Sequence, residues 1–185
     1  MKKTASAIVL AALAIASSGA MAGGFVSASV GQGHIDESCE GWPSCDTTDT
    51  AFKFVGGYQS PSGLGGEIGY ISFGKAKLAD GGLSGEAEAT ALTLGIAYQA
   101  NLGSDFGLNF RFGLANVKAD LKATYAGFGS ISDSETNWAP YFGIGLSYSF
   151  SKVVSLVAAA DFSKAEYDGA KDDVRAITLG LRFDF

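Results

Sequence analysis

The sequence predicts an all-β protein: an eight-stranded antiparallel up-and-down transmembrane β-barrel that follows a cleaved signal peptide. Three observations carry that expectation. Residues 1–22 have the charge and apolar pattern of an export signal, the remainder holds eight stretches of period-two alternation, and the connections alternate between short and long.

At the N-terminus, Lys2 and Lys3 make a basic start and Thr4 to Ala16 is a short apolar run. Ser17-Ser18-Gly19 breaks it, and Ala20-Met21-Ala22 is a small-x-small cleavage site. A run of this length with these flanks is removed on export and is too short to span a membrane as a helix. Residues 1–22 are therefore expected to be a signal peptide and residues 23–185 a single outer membrane β-barrel domain. Gly23, not a cysteine, stands directly after the cleavage site, so a lipoprotein is not expected.

The alternating segments follow in order. Gly24 to Gly31 sets Val26, Ala28 and Val30 against Ser27 and Ser29. Thr50 to Gln59 sets Phe52, Phe54, Gly56 and Tyr58 against Lys53, Val55, Gly57 and Gln59. Leu64 to Phe73 sets Gly66, Ile68 and Tyr70 against Glu67 and Gly69. Ala89 to Gln99 sets Leu92, Leu94, Ile96 and Tyr98 against Ala91, Thr93, Gly95 and Ala97. Phe106 to Val117 sets Leu108, Phe110, Phe112 and Leu114 against Asn109, Arg111, Gly113 and Ala115. Trp138 to Phe150 sets Phe142, Ile144, Leu146 and Tyr148 against Tyr141, Gly143, Gly145 and Ser147. Val153 to Ser163 sets Val154, Leu156, Ala158 and Phe162 against Ser155, Ala159 and Asp161. Val174 to Phe185 sets Ile177, Leu179, Leu181, Phe183 and Phe185 against Thr178, Gly180, Arg182 and Asp184. The fourth and seventh segments contain helix-friendly Ala and Glu, but their period stays at two.

Short connections are Ser60 to Gly63, Asn101 to Asp105 and Ser151-Lys152. Long polar ones are Gln32 to Asp49, Gly74 to Glu88, Lys118 to Asn137 and Lys164 to Asp173. Short turns on one side and long loops on the other describe a barrel threaded through a bilayer. A tilted strand needs about 9–11 residues to cross the hydrocarbon, and these segments supply that length.

The outward face follows from the kind of residue opposite the apolar one. A soluble ligand-binding barrel would turn its apolar face inward and show water a face rich in Lys, Glu and Gln. Here the opposing face is mainly Gly, Ala, Ser and Thr, which suits a cramped interior. Tyr58, Tyr98, Tyr148 and Phe185 end the second, fourth, sixth and eighth segments at matching positions, as an interfacial aromatic girdle would. Lys53, Glu67, Arg111, Asp161 and Arg182 fall on the inner face, where charges must pair or meet water. The expected network has Glu67 bridging Arg111 and Arg182 and filling the lumen as a structural plug, in preference to a gated ion path.

Composition excludes other classes. The chain has 19 acids against 13 bases, and loss of Lys2 and Lys3 makes it more acidic still. No basic cluster favours nucleic acid. Cys39 and Cys45, in an exported chain, are expected to form a small disulfide loop. A zinc site would need more ligands than His34 supplies. His34 has Asp36 and Ser38 beside it, but a catalytic triad needs a rigid frame and these fall in the first long loop, so a solvated histidine is the preferred reading and no catalytic residue is assigned. Asp168, Asp172 and Asp173 lack the spacing of a calcium loop. The glycine pairs do not open helices after strands, so no nucleotide cofactor is expected. Trp42 and Phe128, aromatics in loops, are candidate contacts for a partner.

Phe52-Lys53-Phe54-Val55-Gly56-Gly57-Tyr58-Gln59 followed by Gly66-Glu67-Ile68-Gly69-Tyr70 resembles a hairpin half and third strand of the outer membrane protein A-like barrels. The ending Leu179-x-Leu181-x-Phe183-x-Phe185 resembles the signal read by the barrel assembly machinery. The resemblance covers essentially the whole mature chain. It implies residence among outer membrane lipid and lipopolysaccharide, insertion by that machinery, and a structural or adhesive role with host or extracellular ligands held by the loops. Larger members carry a periplasmic domain that grips peptidoglycan; the chain stops at the last strand, so that role is not expected here. The expected function is a non-enzymatic surface protein of a Gram-negative outer membrane. A lipid-modifying enzyme and a narrow channel are the alternatives.

Overall fold

The computed structural model describes residues 23–36, 44–80, 83–125, 129–167 and 170–185. The expected signal peptide, Cys39, Trp42 and Phe128 lie outside the described residues. Among the described residues there are nine strands and no helix: β1 (Gly24–Ile35), β2 (Ser44–Asp46), β3 (Thr48–Gln59), β4 (Leu64–Asp80), β5 (Leu83–Asn101), β6 (Phe106–Tyr125), β7 (Gly129–Ser149), β8 (Val154–Tyr167) and β9 (Ala170–Asp184). The Ala- and Glu-containing stretches in β5 and β8 are strand throughout.

The sheet order is β2-β4-β3-β1-β9-β8-β7-β6-β5, and β5 also pairs with β4. Apart from β2, eight antiparallel strands thus form a closed barrel of sequential neighbours. Closure is made by β1 against β9, from Phe25 opposite Asp184 to Ile35 opposite Val174. A closed ladder leaves no sheet edge inside hydrocarbon, where each unpaired N–H or C=O would cost several kcal/mol.

Side-chain burial inverts the pattern of a soluble barrel. On β5, Leu92, Leu94 and Ile96 are 57%, 64% and 59% exposed, while Ala91 and Thr93, on the opposite register, are 2% and 3% exposed. The same holds on β3, where Phe52 and Phe54 point out and Lys53 and Val55 point in. Cross-strand aromatic contacts lie on the outer surface, including Phe106–Tyr148 and Phe112–Phe142, with ring centroids 5.0 and 5.1 Å apart. Such a continuous apolar band, with small side chains inside, is what contact with acyl chains requires.

The strands are longer than the hydrophobic pattern implies. Much of the expected loops at Gly74 to Glu88, Lys118 to Asn137 and Lys164 to Asp173 is paired strand. β4 and β5 stay in register up to Asp80 opposite Leu83, and β6 and β7 up to Tyr125 opposite Gly129. The reason is that alternation continues after the outward residues turn polar. Glu86 and Glu88 point out while Ala87 and Ala89 point in, and Lys118, Asp120 and Lys122 alternate with Ala119 and Leu121 in the same way. These segments leave the lipid without leaving the sheet. From Ala115 to Tyr125 the β6–β7 arm adds roughly 30 Å of strand length.

The rim is lopsided. β7 pairs with β8 only from Phe142 to Ser149. Above that level β4, β5, β6 and β7 stand as a curved wall, extended by β2, whose Ser44–Asp46 pair with Lys77–Ala79 of β4. The opposite wall is lower: β8 and β9 end at Tyr167 opposite Ala170, and β1 and β3 at His34 opposite Thr48.

Leu94→Arg places a charge near the middle of the apolar belt and is expected to destabilise the folded barrel by about 2–4 kcal/mol, whereas Leu102→Arg at the rim should cost about 0–1 kcal/mol. Urea titration in phospholipid vesicles reads both values. Equal losses at the two positions would contradict lipid contact at Leu94.

Candidate functional site

The inner face brings charged side chains from different strands to one level. Lys53 of β3 donates to Asp161 Oδ2 of β8 at 2.5 Å, and Tyr141 of β7 donates its hydroxyl to Asp161 Oδ1 at 2.6 Å. Arg111 of β6 lies with Nε 3.3 Å from Glu67 Oε2 and Nη1 3.9 Å from Asp161 Oδ1. Lys53 and Asp161 are 2% and 0% exposed. Two acids and two bases balance, which is the condition for holding such groups away from water. Gly143 keeps the space open: a Cβ there would meet Asp161 Oδ1 at 2.8 Å and the Tyr141 hydroxyl at 3.2 Å.

Four of the five expected network residues therefore meet, and the fifth does not. Arg182 does not reach Glu67. It sits nearer the short turns, donating to Gln59 Oε1 and to Asp184 Oδ1 at 2.6 Å each, with its guanidinium 3.9 Å from the centroid of Phe25. The position of Arg182 on β9 explains this: it lies opposite Ser27 and Ser155, several residues below the level of Asp161. Tyr141 is the member that sequence reasoning missed. Its inward register, two residues before Gly143, carried the signal, but an aromatic phenol does not stand out as a partner for charge.

Below Arg182 a polar vestibule of about 960 Å³ opens between the short turns, with Gln99, Ser149 and Ser155 among its lining. Above the ionic level the lumen is apolar. Ile35, Ile71, Phe73, Val117 and Val174 pack there with several alanines.

Tyr58, Tyr98, Tyr148 and Phe185 all lie on the outer surface at the short-turn end. Phe185 joins the closure seam, exchanging backbone hydrogen bonds with Gly24 at 2.9 and 3.0 Å. Leu179, Leu181, Phe183 and Phe185 share the outward face of the last strand. Cys45 lies on β2 opposite Leu78, and no described cysteine is free.

His34 is not a loop residue. It ends β1, opposite Thr48 and Arg175. Its Nε2 is 2.7 Å from Asp36 Oδ1, and its Nδ1 is 3.2 Å from the Thr47 hydroxyl and 3.3 Å from that of Thr48. Histidine between an acid and a hydroxyl is an arrangement that nucleophilic catalysis uses. An oxyanion would need free donors beside it, but the N–H groups of Ile35 and Asp36 are bonded to Thr47 O and Asp173 O. Asp173 also pairs with Lys164 at 2.5 Å. Ser38 and Asp168 lie outside the described residues.

Lys53→Met should destabilise the barrel by about 3–5 kcal/mol, because it leaves the buried Asp161 short of its closest cation. Lys53→Met with Asp161→Leu should recover most of that loss. Unfolding titrations of both variants in lipid give the coupling, and additive losses would show that the pair is not energetically linked.

Comparison with known proteins matches the family described as the outer membrane protein beta-barrel domain over residues 5–185. No curated protein shows significant sequence similarity to the chain. Among solved structures, the barrel is similar to the attachment invasion locus protein Ail of Yersinia pestis, with 17% identity, 88% of this chain and 100% of that chain covered, and a TM-score of 0.58. Neisserial surface protein A shows a TM-score of 0.61 at 14% identity, covering 88% of this chain and 97% of that one. OprG of Pseudomonas aeruginosa shows 0.56 at 16% identity, covering 89% and 96%. At such identities the likeness is one of fold. Together with the closed ladder and the apolar belt, the family match makes this chain a member of the outer membrane protein β-barrel domain family, resident in the outer membrane.

Proposed function

We propose that this chain is a non-enzymatic surface protein, a filled barrel that anchors raised β-arms for contact with an extracellular partner. The observation that carries the reading is the continuation of paired strand beyond the apolar belt. The β4–β5 and β6–β7 ladders hold a polar outer face in fixed geometry well clear of the lipid, while charged and apolar layers occupy the lumen below. A rigid sheet presents side chains at lower entropic cost than a flexible loop. Ail, which shares the fold, is described as an attachment invasion protein and has been solved with the heparin analogue sucrose octasulfate. That likeness supports an adhesive role here.

The same reading includes the processing of the chain. Residues 1–22 serve as its export signal, and Cys39 and Cys45 close a disulfide loop at the outer rim. The outward run Leu179, Leu181, Phe183, Phe185 is what the assembly machinery engages. Lipopolysaccharide surrounds the belt, and Trp42 and Phe128 contribute apolar contacts to the partner. The lumen network of Lys53, Glu67, Arg111 and Asp161 acts as a plug.

The His34–Asp36–Thr47 arrangement favours a second reading, an enzyme acting on outer membrane lipid. One experiment separates the two. Replacing residues 118–136 by an Asn-Gly turn removes the β6–β7 arm, and His34→Ala removes the imidazole. The arm deletion should keep the heat-dependent gel shift of a folded barrel and lose binding of the bacteria to host cells or matrix. His34→Ala should leave both binding and lipid turnover unchanged. Undiminished binding without the arm would overturn the surface reading, and altered lipid turnover in His34→Ala would favour the enzyme.

A further inference from the structure

The raised wall encloses something that neither the plug nor the adhesive reading uses. Between the inner face of β4–β7 and the lower wall of β1, β8 and β9 lies a cavity of about 450 Å³, lined in part by Ile35, Ala87, Ala89, Ala119, Leu121 and Ile131. That volume is within the range of about 300–1,000 Å³ typical of small-molecule sites. Ile35, Ala89 and Ala165 belong both to this lining and to the apolar cluster that fills the upper lumen. The cavity therefore has an apolar floor and opens towards the outside rather than into a continuous pore.

The polar groups around it are unequal in sign. On the inward register of the lining, the charged side chains are the carboxylates Asp133 of β7 and Asp172 of β9. Glu86, Glu88 and Lys122 reach its edge from the outward register. Burial raises the pKa of Asp172, and the nearby carboxylates of Asp173 and Asp36 raise it further. The potential at the mouth is therefore negative. Lys75 pairs with Glu86 and Glu88, Lys164 with Asp173, and Arg175 lies near Asp36, so among the lining residues Lys122 is the cation that stands against Asp133 and Asp172, one base to two acids. An anionic lipid head would be repelled there, whereas an ammonium group would relieve the crowding of carboxylates.

We propose that this cavity binds a small cationic amphiphile, with an aryl or alkyl body in the alanine-lined trough and an ammonium group held between Asp172 and Asp133. The alanines fix how the body is read. Their methyl groups line the walls without filling them, so selectivity is for apolar bulk of limited size, and the acids supply the preference for positive charge.

The lining supplies its own reporters. The mature chain, refolded in nanodiscs of zwitterionic phospholipid with methyl-labelled alanine, is titrated with phenylbutylamine and followed by NMR. Saturable shifts are expected at Ala87, Ala119 and Ala165, and none at the lipid-facing Ala28 and Ala158. Phenylbutyrate should bind at least roughly tenfold more weakly. Ala119→Leu, which fills the trough, should abolish the shifts while the heat-dependent gel shift is retained. Asp172→Asn should remove the preference for the amine over phenylbutanol while leaving an apolar response. The proposal fails if no shift saturates, if Ala28 and Ala158 move equally, or if amine and carboxylate bind alike. It also fails if Trp42→Ala moves the lining alanines with no amine added, since the chain itself would then occupy the cavity. Loss of cell binding on arm deletion is a separate readout, so either reading can fall alone.

Discussion

The structure depends first on the backbone. Hydrocarbon offers no partner for an N–H or C=O, so every peptide group at that depth must be paired by another strand. The β1–β9 seam meets that requirement. Residues 25–35 of the first strand lie in unbroken register against the last, and Phe185 closes the lower end through Gly24. Once closed with eight strands, the barrel has a narrow interior, and the side-chain assignment follows. Gly, Ala, Ser and Thr go inside, and Leu, Ile and Phe go to the lipid.

A narrow interior then constrains its charges. Lys53, Arg111, Glu67 and Asp161 enter the lumen in balanced number, with the Tyr141 hydroxyl as a further donor to Asp161. An ionic layer of this kind is weak evidence for stability in itself, since well-packed apolar residues often do as well. Its consequence is specificity of filling. Each group has a partner on a different strand, so the layer ties β3, β4, β6, β7 and β8 to one register. Above it the lumen turns apolar, which separates the polar vestibule at the short turns from the cavity at the outer rim.

Most of the barrel was legible in the sequence because a half-lipid, half-lumen strand has a period of two and a distinctive small-residue face. Leu92-Thr93-Leu94-Gly95-Ile96 reads correctly on both faces without further information. The strand ends were not legible in the same way. Glu86-Ala87-Glu88-Ala89 looks like the start of a loop or a helix, because the outward residues change from apolar to charged where the strand leaves the lipid. Only the persistence of alternation marks it as strand. The charged residues of the lumen were identifiable by face but not by level. Arg182 and Glu67 share the inner surface yet lie at different heights, and that offset is set by strand register, which alternation leaves undetermined. His34 looks like a loop residue in the sequence because its strand partners, Thr48 and Arg175, are distant along the chain.

The outward orientation of the apolar face supports the belt, the raised arms and the rim cavity alike. Magnetisation transfer from bilayer acyl-chain protons to protein methyl groups, recorded on the mature chain in nanodiscs, measures it directly. Leu94, Ile96 and Leu179 should receive strong transfer, and Ile71, Val117 and Val174 should receive none. The reverse pattern would mean that the apolar residues face one another across the lumen, and the membrane-spanning barrel would be ruled out.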